Sequence, residues 1–314
     1  MIKINTQNKG QFVQYFAGLY EMYSAAPYPA RIRSVHPVLQ TYIANFCKKI
    51  GEKVPDFELS FGLQDLFNAK TINHVDLIKS NRPMIGFSGG KDGLAVAILL
   101  KKQNPILYHL YGINRTYKFE RNNARALADM MGLEYVEEEV RLSGKQDFPD
   151  HPFKNQLIMA HMVDYGITLG VTDYYMGNHR FENCDGANVR LEFSDSGEQI
   201  DLFDTFIRSF VNNYQRETLL ENNEHAIKIV ADHDPKMFEL FTSCVMPAYR
   251  KPMLRKYIEK NYPAGVLLPG RCGYCYKCTK EYMLLADWGL LPMDKPFYER
   301  CKMISETKNP VMYI

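Results

Sequence analysis

The sequence predicts an α/β fold built on a doubly wound, mostly parallel sheet of about five strands. Three observations carry that prediction. Short apolar runs alternate with segments of helical periodicity from about residue 83 to residue 230. A glycine-rich turn, Ser88-Gly89-Gly90-Lys91-Asp92-Gly93, joins the first of those runs to the first of those helices. Helical segments end at Gly132 and Gly170, each directly before a new apolar run.

Taken in order, Met84-Ile85-Gly86-Phe87 reads as the first strand, and residues 94–100 as a buried helix stopped near Asn104-Pro105. Residues 106–111 read as the second strand. Ala124, Leu127, Ala128 and Met131 mark the next helix, and residues 133–140 a third, more exposed strand. Residues 157–169 read as a helix and residues 171–176 as a fourth strand ending at Gly177. Phe203, Phe206, Ile207, Phe210 and Tyr214 mark a long helix with Asp201 as its expected N-cap, and residues 226–230 read as the fifth strand. Residues 1–80 read as helical on the spacing of Phe12, Phe16, Leu19, Tyr20 and Tyr23, then of Leu39, Tyr42, Ile43, Phe46 and Ile50, with a break at Pro27 and Pro29. Residues 178–200 form a polar stretch of the length that lids and binding loops have. The chain therefore divides into a helical N-terminal region (1–80), a nucleotide-binding domain (81–240) and a C-terminal helical region with a cysteine cluster (241–314).

Composition narrows the class. The 314 residues are 46% hydrophobic and 24% charged, ordinary for a globular chain. Lys and Arg total 38 against 36 Asp and Glu, so no global basic field argues for nucleic acid, and only a local patch is left open. The polar start lacks the apolar stretch of a signal peptide, and the run at 94–100 is too short to span a bilayer. Seven cysteines, an odd number, fit a reducing compartment, so the reading is a cytoplasmic protein without a membrane partner.

The turn at 88–93 is an anion site by construction. Its glycines let the backbone approach a ligand, the following helix aims free N–H groups and its positive dipole end at the loop, Ser88 adds a hydroxyl and Lys91 a cation. It has neither Walker spacing nor a dinucleotide GxGxxG. It resembles the SGGxDS signature of the PP-loop ATP pyrophosphatases, with Gly93 in the last place. That resemblance implies an adenine nucleotide alpha-hydrolase-like fold that binds ATP and magnesium and splits ATP at the α-phosphate. Carried over by position, Ser88, Gly89, Gly90 and Lys91 hold the pyrophosphate and Asp92 fixes the loop or its magnesium. Ser88, Lys91 and Asp92 are the catalytic candidates, and Gly93 departs from the pattern by lacking a hydroxyl.

From about residue 83 to 285 the chain further resembles 7-cyano-7-deazaguanine synthase. Leu110-Tyr111-Gly112-Ile113-Asn114-Arg115 is similar to the segment after that family's second strand, Met176-Gly177-Asn178 to its GvN, and Met246-Pro247 with the basic helix after it to its TPL region. The resemblance adds Phe87, Tyr111, Gly112, Gly177 and Asn178 to the ATP site. Arg115, Arg250 and Lys251 become substrate or phosphate candidates, although such a residue alone is more often a solvated surface charge. The implied reaction adenylates a small heterocyclic carboxylate, a 7-deazaguanine-like base. Ammonia then displaces AMP to give an amide, and a second activation gives the nitrile. A homodimer is the usual arrangement among resembling enzymes.

Cys272-Gly273-Tyr274-Cys275-Tyr276-Lys277-Cys278 puts three thiols at CxxCxxC spacing, which suits a soft metal. The synthase family binds zinc with this motif and one more cysteine upstream, but residues 264–271 contain none. A fourth ligand would have to be Cys244, Cys301 or a histidine, whereas Cys47 and Cys184 read as plain core or loop cysteines. Three thiols also suit a four-iron cluster, as in PP-loop enzymes that thiolate RNA. The alternatives to the ligase are thus an RNA-thiolating enzyme with a 4Fe-4S cluster, and a nucleotide-binding module without turnover.

Overall fold

The computed structural model describes residues 3–58 (without 9, 25–27 and 34), 80–113, 117–143, 151–179 (without 152), 197–241 (without 212), 251–262 and 267–307 (without 270). The chain opens with β1 (Lys3–Thr6), α1 (Gln11–Met22), β2 (Arg31–Arg33), α2 (Pro37–Lys49) and β3 (Asp56–Glu58). Alternation begins with β4 (Met84–Gly86) and α3 (Lys91–Leu99), followed by β5 (Ile106–Tyr111), α4 (Tyr117–Met131), β6 (Tyr135–Ser143), α5 (Lys154–Thr168) and β7 (Asp173–Tyr175). It continues through α6 (Gly197–Arg208), β8 (Gln215–Glu217) and α7 (Asn223–His233), and closes with α8 (Lys251–Asn261), α9 (Tyr276–Asp287) and α10 (Lys295–Thr307).

The main sheet has six strands in the order β1-β6-β5-β4-β7-β8. The strands β6, β5, β4, β7 and β8 are parallel to their neighbours, as expected for a doubly wound fold, and β1 adds an antiparallel edge on β6. Because β4 lies between β5 and β7, the winding reverses there, and the carboxyl ends of β4 and β7 form the switch point at which such folds hold ligands. Helices cover both faces. On one, Phe12 and Phe16 of α1, Tyr42 of α2, Val163 of α5 and Phe206 of α6 pack over Tyr108 and Tyr174. On the other, Val96 of α3, Leu127 of α4, Ile227 of α7 and Tyr282 of α9 pack over Ile85 and Leu107. Each such large side chain contributes roughly 1.5–3 kcal/mol through burial.

Three expectations need correction. Residues 226–230 lie in α7, not in a strand. The Asn222 side chain accepts from the His225 amide at 2.9 Å and caps the helix, and Ala226, Ile227, Val230 and Ala231 form one buried helical face. The fifth parallel strand is the short, polar β8 instead. Asp201 is not an N-cap, because α6 already starts at Gly197 and the Asp201 carbonyl accepts from Thr205 Oγ1 at 2.7 Å. The first 80 residues are not purely helical: β1 joins the main sheet, and β2 and β3 form a small parallel pair. Their helices α1 and α2 share the core of one sheet face. Among the described residues no helix is long and apolar enough to cross a membrane.

Candidate functional site

The glycine-rich turn at 88–93 lies at the carboxyl end of β4, the end at which doubly wound sheets hold ligands. Phe87 is buried, and its amide donates to the Tyr108 carbonyl at 2.8 Å, which fixes the exit from β4. Ser88 is exposed, and Gly90 caps α3 in an extended conformation. Gly89 has φ +74, and a Cβ there would stand 2.6 Å from the Ala124 amide nitrogen of α4. Only glycine satisfies both demands. Gly93 lies inside the first turn of α3, where a Cβ would meet the Gly86 carbonyl oxygen at 3.2 Å and Phe87 Cδ2 at 3.3 Å. The departure from the signature therefore matches a helix seated close on β4.

Lys91 begins α3 and is buried, with its ammonium hydrogen-bonded to Oδ1 of Asp92. That same oxygen lies 2.9 Å from Nε2 of His179. Burial raises the Asp92 carboxyl, but Lys91 and His179 outweigh it and hold the group at about 2. Asp92 is thus a fixed carboxylate between two nitrogen groups, at the positive end of α3. Gly177 packs directly on this pair: a Cβ there would stand 2.7 Å from Cβ of Asp92 and 2.9 Å from the Gly93 amide nitrogen. Asn178 accepts from Arg216 Nη1 through Oδ1 at 3.4 Å. The turns after β4 and β7, predicted to share the nucleotide, therefore do meet.

Tyr111 ends β5, with the guanidinium of Arg121 4.2 Å above its ring. Arg121 and Arg125 both hydrogen-bond Glu137, and mainly through Arg121, against burial, they hold its carboxyl at about 2. Gly112 has φ +97, and a Cβ there would lie 2.0 Å from the Val140 carbonyl oxygen, so this turn is pressed against β6. Lys251 is half-buried at the start of α8. Arg115, Arg250, Cys184 and Cys244 lie outside the described residues, as do residues 180–196 of the polar stretch.

The three cysteines do come together. Cys272, Cys275 and Cys278 are buried, with their sulfurs within 4.8 Å of one another. Gly273, at φ +66, makes the bend, and Cys275 caps α9, so its helix start favours thiolates. The amides of Tyr274 and Cys275 donate to Cys272 Sγ at 3.3 and 3.2 Å. Arg300 Nη1 donates to the Gly273 carbonyl at 2.9 Å and packs its guanidinium 4.6 Å from the Tyr274 ring centroid. Arg271, fully buried, pairs with Glu281 at 2.8 Å. This converged, amide-supported thiol set fits a soft metal or an iron–sulfur cluster. Cys301 is buried in α10 but lies outside the group, and burial pushes its thiol up to about 12. Among the described residues no other His, Cys, Asp or Glu joins the three. Cys47 is a core residue of α2, as read from sequence.

No protein-family model and no curated protein matches this chain. Among solved structures, the chain is similar to the U34-tRNA thiolase NcsA from Methanococcus maripaludis with its 4Fe-4S cluster. The identity is 14% and the TM-score 0.37, covering 75% of this chain and 81% of that chain.

Sequence reasoning missed two parts of the site. His179 directly follows the Gly177-Asn178 pair and could have been noted as the next side chain at a strand end. Arg216 gave no signal, because β8 is three polar residues long, and its partner Asp204 is one of several acidic residues of α6.

Proposed function

We propose that this protein is an ATP-dependent adenylating enzyme of the PP-loop type. The observation that carries the reading is the junction of Asp92, Lys91, His179 and Gly177 under the phosphate loop at the switch point. In this reading the loop amides, Ser88 and the start of α3 hold the β- and γ-phosphates, and magnesium neutralises them beside Asp92. An acceptor oxygen attacks the α-phosphorus, the bond to pyrophosphate breaks, and pyrophosphate leaves. A nucleophile then displaces AMP from the acceptor. Positioning and charge neutralisation supply the catalysis.

For the nucleophile, the converged group of three thiols supports sulfur transfer on an RNA base with a 4Fe-4S cluster, since three cysteines leave one iron open. The second reading is the ammonia-dependent ligase acting on a 7-deazaguanine-like carboxylate with a zinc site. It is supported by the order of resembling segments along the chain. Aerobic and anaerobic purification followed by metal analysis separates them. A brown protein absorbing near 400 nm favours sulfur transfer, and a colourless one with stoichiometric zinc sinks it. Tight ATP binding without pyrophosphate release, whether RNA or a panel of carboxylates is supplied, would overturn both in favour of a nucleotide-binding module.

A further inference from the structure

The turn that carries the three cysteines is fastened by a residue of α10. Arg300 is buried, and its Nη1 donates to the Gly273 carbonyl at 2.9 Å. Its guanidinium carbon lies 4.6 Å from the ring centroid of Tyr274 and 5.5 Å from that of Tyr262, just past α8. Gly273 stands at φ +66, the bend that turns Cys272 back toward Cys275 and Cys278. Arg300 therefore holds the residue on which the convergence of the thiols depends.

The Gly273 carbonyl and the Tyr274 N–H belong to one peptide unit. Arg300 bonds the oxygen of that unit, and its N–H donates to Cys272 Sγ at 3.3 Å. A charged donor makes the first bond strong, and hydrogen bonds in a chain polarise one another. Electron density drawn toward the Gly273 oxygen leaves the Tyr274 N–H a better donor to a thiolate. Charge balance argues in the same direction. Arg271, the other buried guanidinium of this region, is neutralised by Glu281 at 2.8 Å. Among the described residues no carboxylate lies within ion-pair distance of Arg300. A buried cation without a countercharge is strongly disfavoured. Three thiolates on a divalent metal leave one negative charge over, and a four-iron cluster on three thiolates is likewise anionic. Either one supplies the countercharge that Arg300 otherwise lacks.

We infer that Arg300 is a positioning residue of the cysteine site, which strengthens the hold on a bound metal through the Gly273–Tyr274 peptide and through its charge. The inference rests on the metal reading of the three thiols given above. A guanidinium has no acceptor lone pair, so Arg300 acts through the turn and not as a ligand. It lies beyond residue 285, where the resemblance to the synthase family ends, and that resemblance assigns it no role. Lysine at this position keeps the charge, and glutamine keeps an N–H donor without the charge.

The test uses the full chain, purified without oxygen, as wild type, Arg300→Gln, Arg300→Lys and Tyr262→Leu. Metal content is measured as purified, and each protein is then stripped with a chelator and reloaded with cobalt(II). Affinity is read from the sulfur-to-cobalt charge-transfer absorption in competition with a chelator. Arg300→Gln should bind cobalt about 10- to 100-fold more weakly, and Arg300→Lys should recover most of that loss. Tyr262→Leu removes a ring packed on the guanidinium but leaves the bond to Gly273, and should bind as the wild type does. The gain in melting temperature on adding cobalt gives a second readout, which a general loss of stability leaves unchanged. It should shrink in Arg300→Gln alone. Wild-type affinity in Arg300→Gln, a loss that lysine does not recover, or an equal loss in Tyr262→Leu would overturn the inference and keep the metal reading. An Arg300→Gln chain that stays unfolded with cobalt present would do the same, because the residue then serves the fold. A wild-type chain that is purified without metal and takes up no cobalt overturns the metal reading, and the inference with it.

Discussion

Nε2 of His179 lies 2.9 Å from Oδ1 of Asp92, a contact that ties the turn after β7 to the first turn of α3. The two residues are 87 positions apart in the chain, and the parallel register of β4 and β7 brings them together. The imidazole completes a three-member group in which Lys91 is the other nitrogen partner. Its removal leaves the half-buried Asp92 with Lys91 as its ion-pair partner. A hydrogen bond to a charged group contributes about 1.5–3 kcal/mol, so His179→Ala should lower ATP-dependent pyrophosphate release by roughly 10- to 100-fold. Steady-state kinetics with a pyrophosphate-coupled assay checks this. The same substitution raises the Asp92 carboxyl from its value of about 2. A depressed carboxylate stabilises the native state above its unfolded pKa, and that contribution is lost as pH falls through about 2. In the variant this contribution is smaller and its loss is complete at a higher pH, which an acid-unfolding titration detects.

Gly177 predicts a second, independent disturbance of the same junction. A methyl group there has backbone and Cβ atoms within 3 Å and no flexible side-chain end to displace. Overpacking of this kind costs about 1–3 kcal/mol, and here it pushes against the start of α3. Gly177→Ala should therefore weaken ATP binding about tenfold or more by isothermal titration, with far-ultraviolet circular dichroism unchanged. Unaltered affinity would show that the two turns are not coupled.

Gly93 is the position at which the loop departs from its signature, and the sequence alone suggested a missing hydroxyl contact. The packing suggests something different. The Gly86 carbonyl and the Phe87 ring leave a tight fit for any Cβ at this place. Restoring the signature with Gly93→Ser should therefore lower the melting temperature, through a cost of about 1 kcal/mol, and should not increase turnover. A faster enzyme of equal stability would show that the hydroxyl outweighs the packing.

The loop, its strand and its helix were legible because their signals are local: three glycines, a preceding apolar run and a following helical spacing. The cysteine triplet was legible for the same reason. What escaped is what only tertiary structure assembles. Residues 226–230 alternate like a strand, yet the Asn222 cap and the pairing of Ile227 with Val230 on one face make a helix. The real fifth strand, Gln215–Glu217, has no apolar pattern, because its register against β7 holds it rather than its own side chains. Arg216 was invisible with it. Likewise β1 is four residues of mixed polarity that form a strand only because the β6 edge awaits a partner.

The three-cysteine cluster, proposed above to hold a metal, makes a prediction about which thiols matter. Cys272, Cys275 and Cys278 converge, while Cys301 is buried elsewhere in the C-terminal helices with its thiol pushed up to about 12. A thiol that resists ionisation is a poor ligand. Cys301→Ser should therefore retain the full metal content by inductively coupled plasma analysis, and Cys275→Ser should lose it. Chelation of the wild-type protein should lower thermal stability, because Cys272, Cys275 and Cys278 belong to the same packed face as Ile85 and Leu94. Metal loss in the Cys301 variant would instead identify it as the fourth ligand.

Asp164 on α5 supplies the last prediction, a test of how the N-terminal region is fastened to the sheet. Its Oδ2 accepts from the Val13 amide at 2.8 Å, at the start of α1, and Gly10 packs so closely that a Cβ would collide with it. Burial raises this carboxyl to about 7, more than the amide hydrogen bonds lower it, and Glu138 adds to the rise. A carboxyl raised in the folded state binds its proton more tightly there than in the unfolded chain. Its contribution is fully present below the unfolded value near 4 and is lost as pH rises through about 7. Asp164→Asn keeps an acceptor for the amides and removes the ionisation. The variant should gain stability relative to the wild type as pH rises from about 4 to about 7, and melting temperatures measured across that range check it. Parallel curves for the two proteins would place the ionisation of Asp164 outside this window and leave the docking of α1 to its aromatic contacts with Phe206 and Phe210.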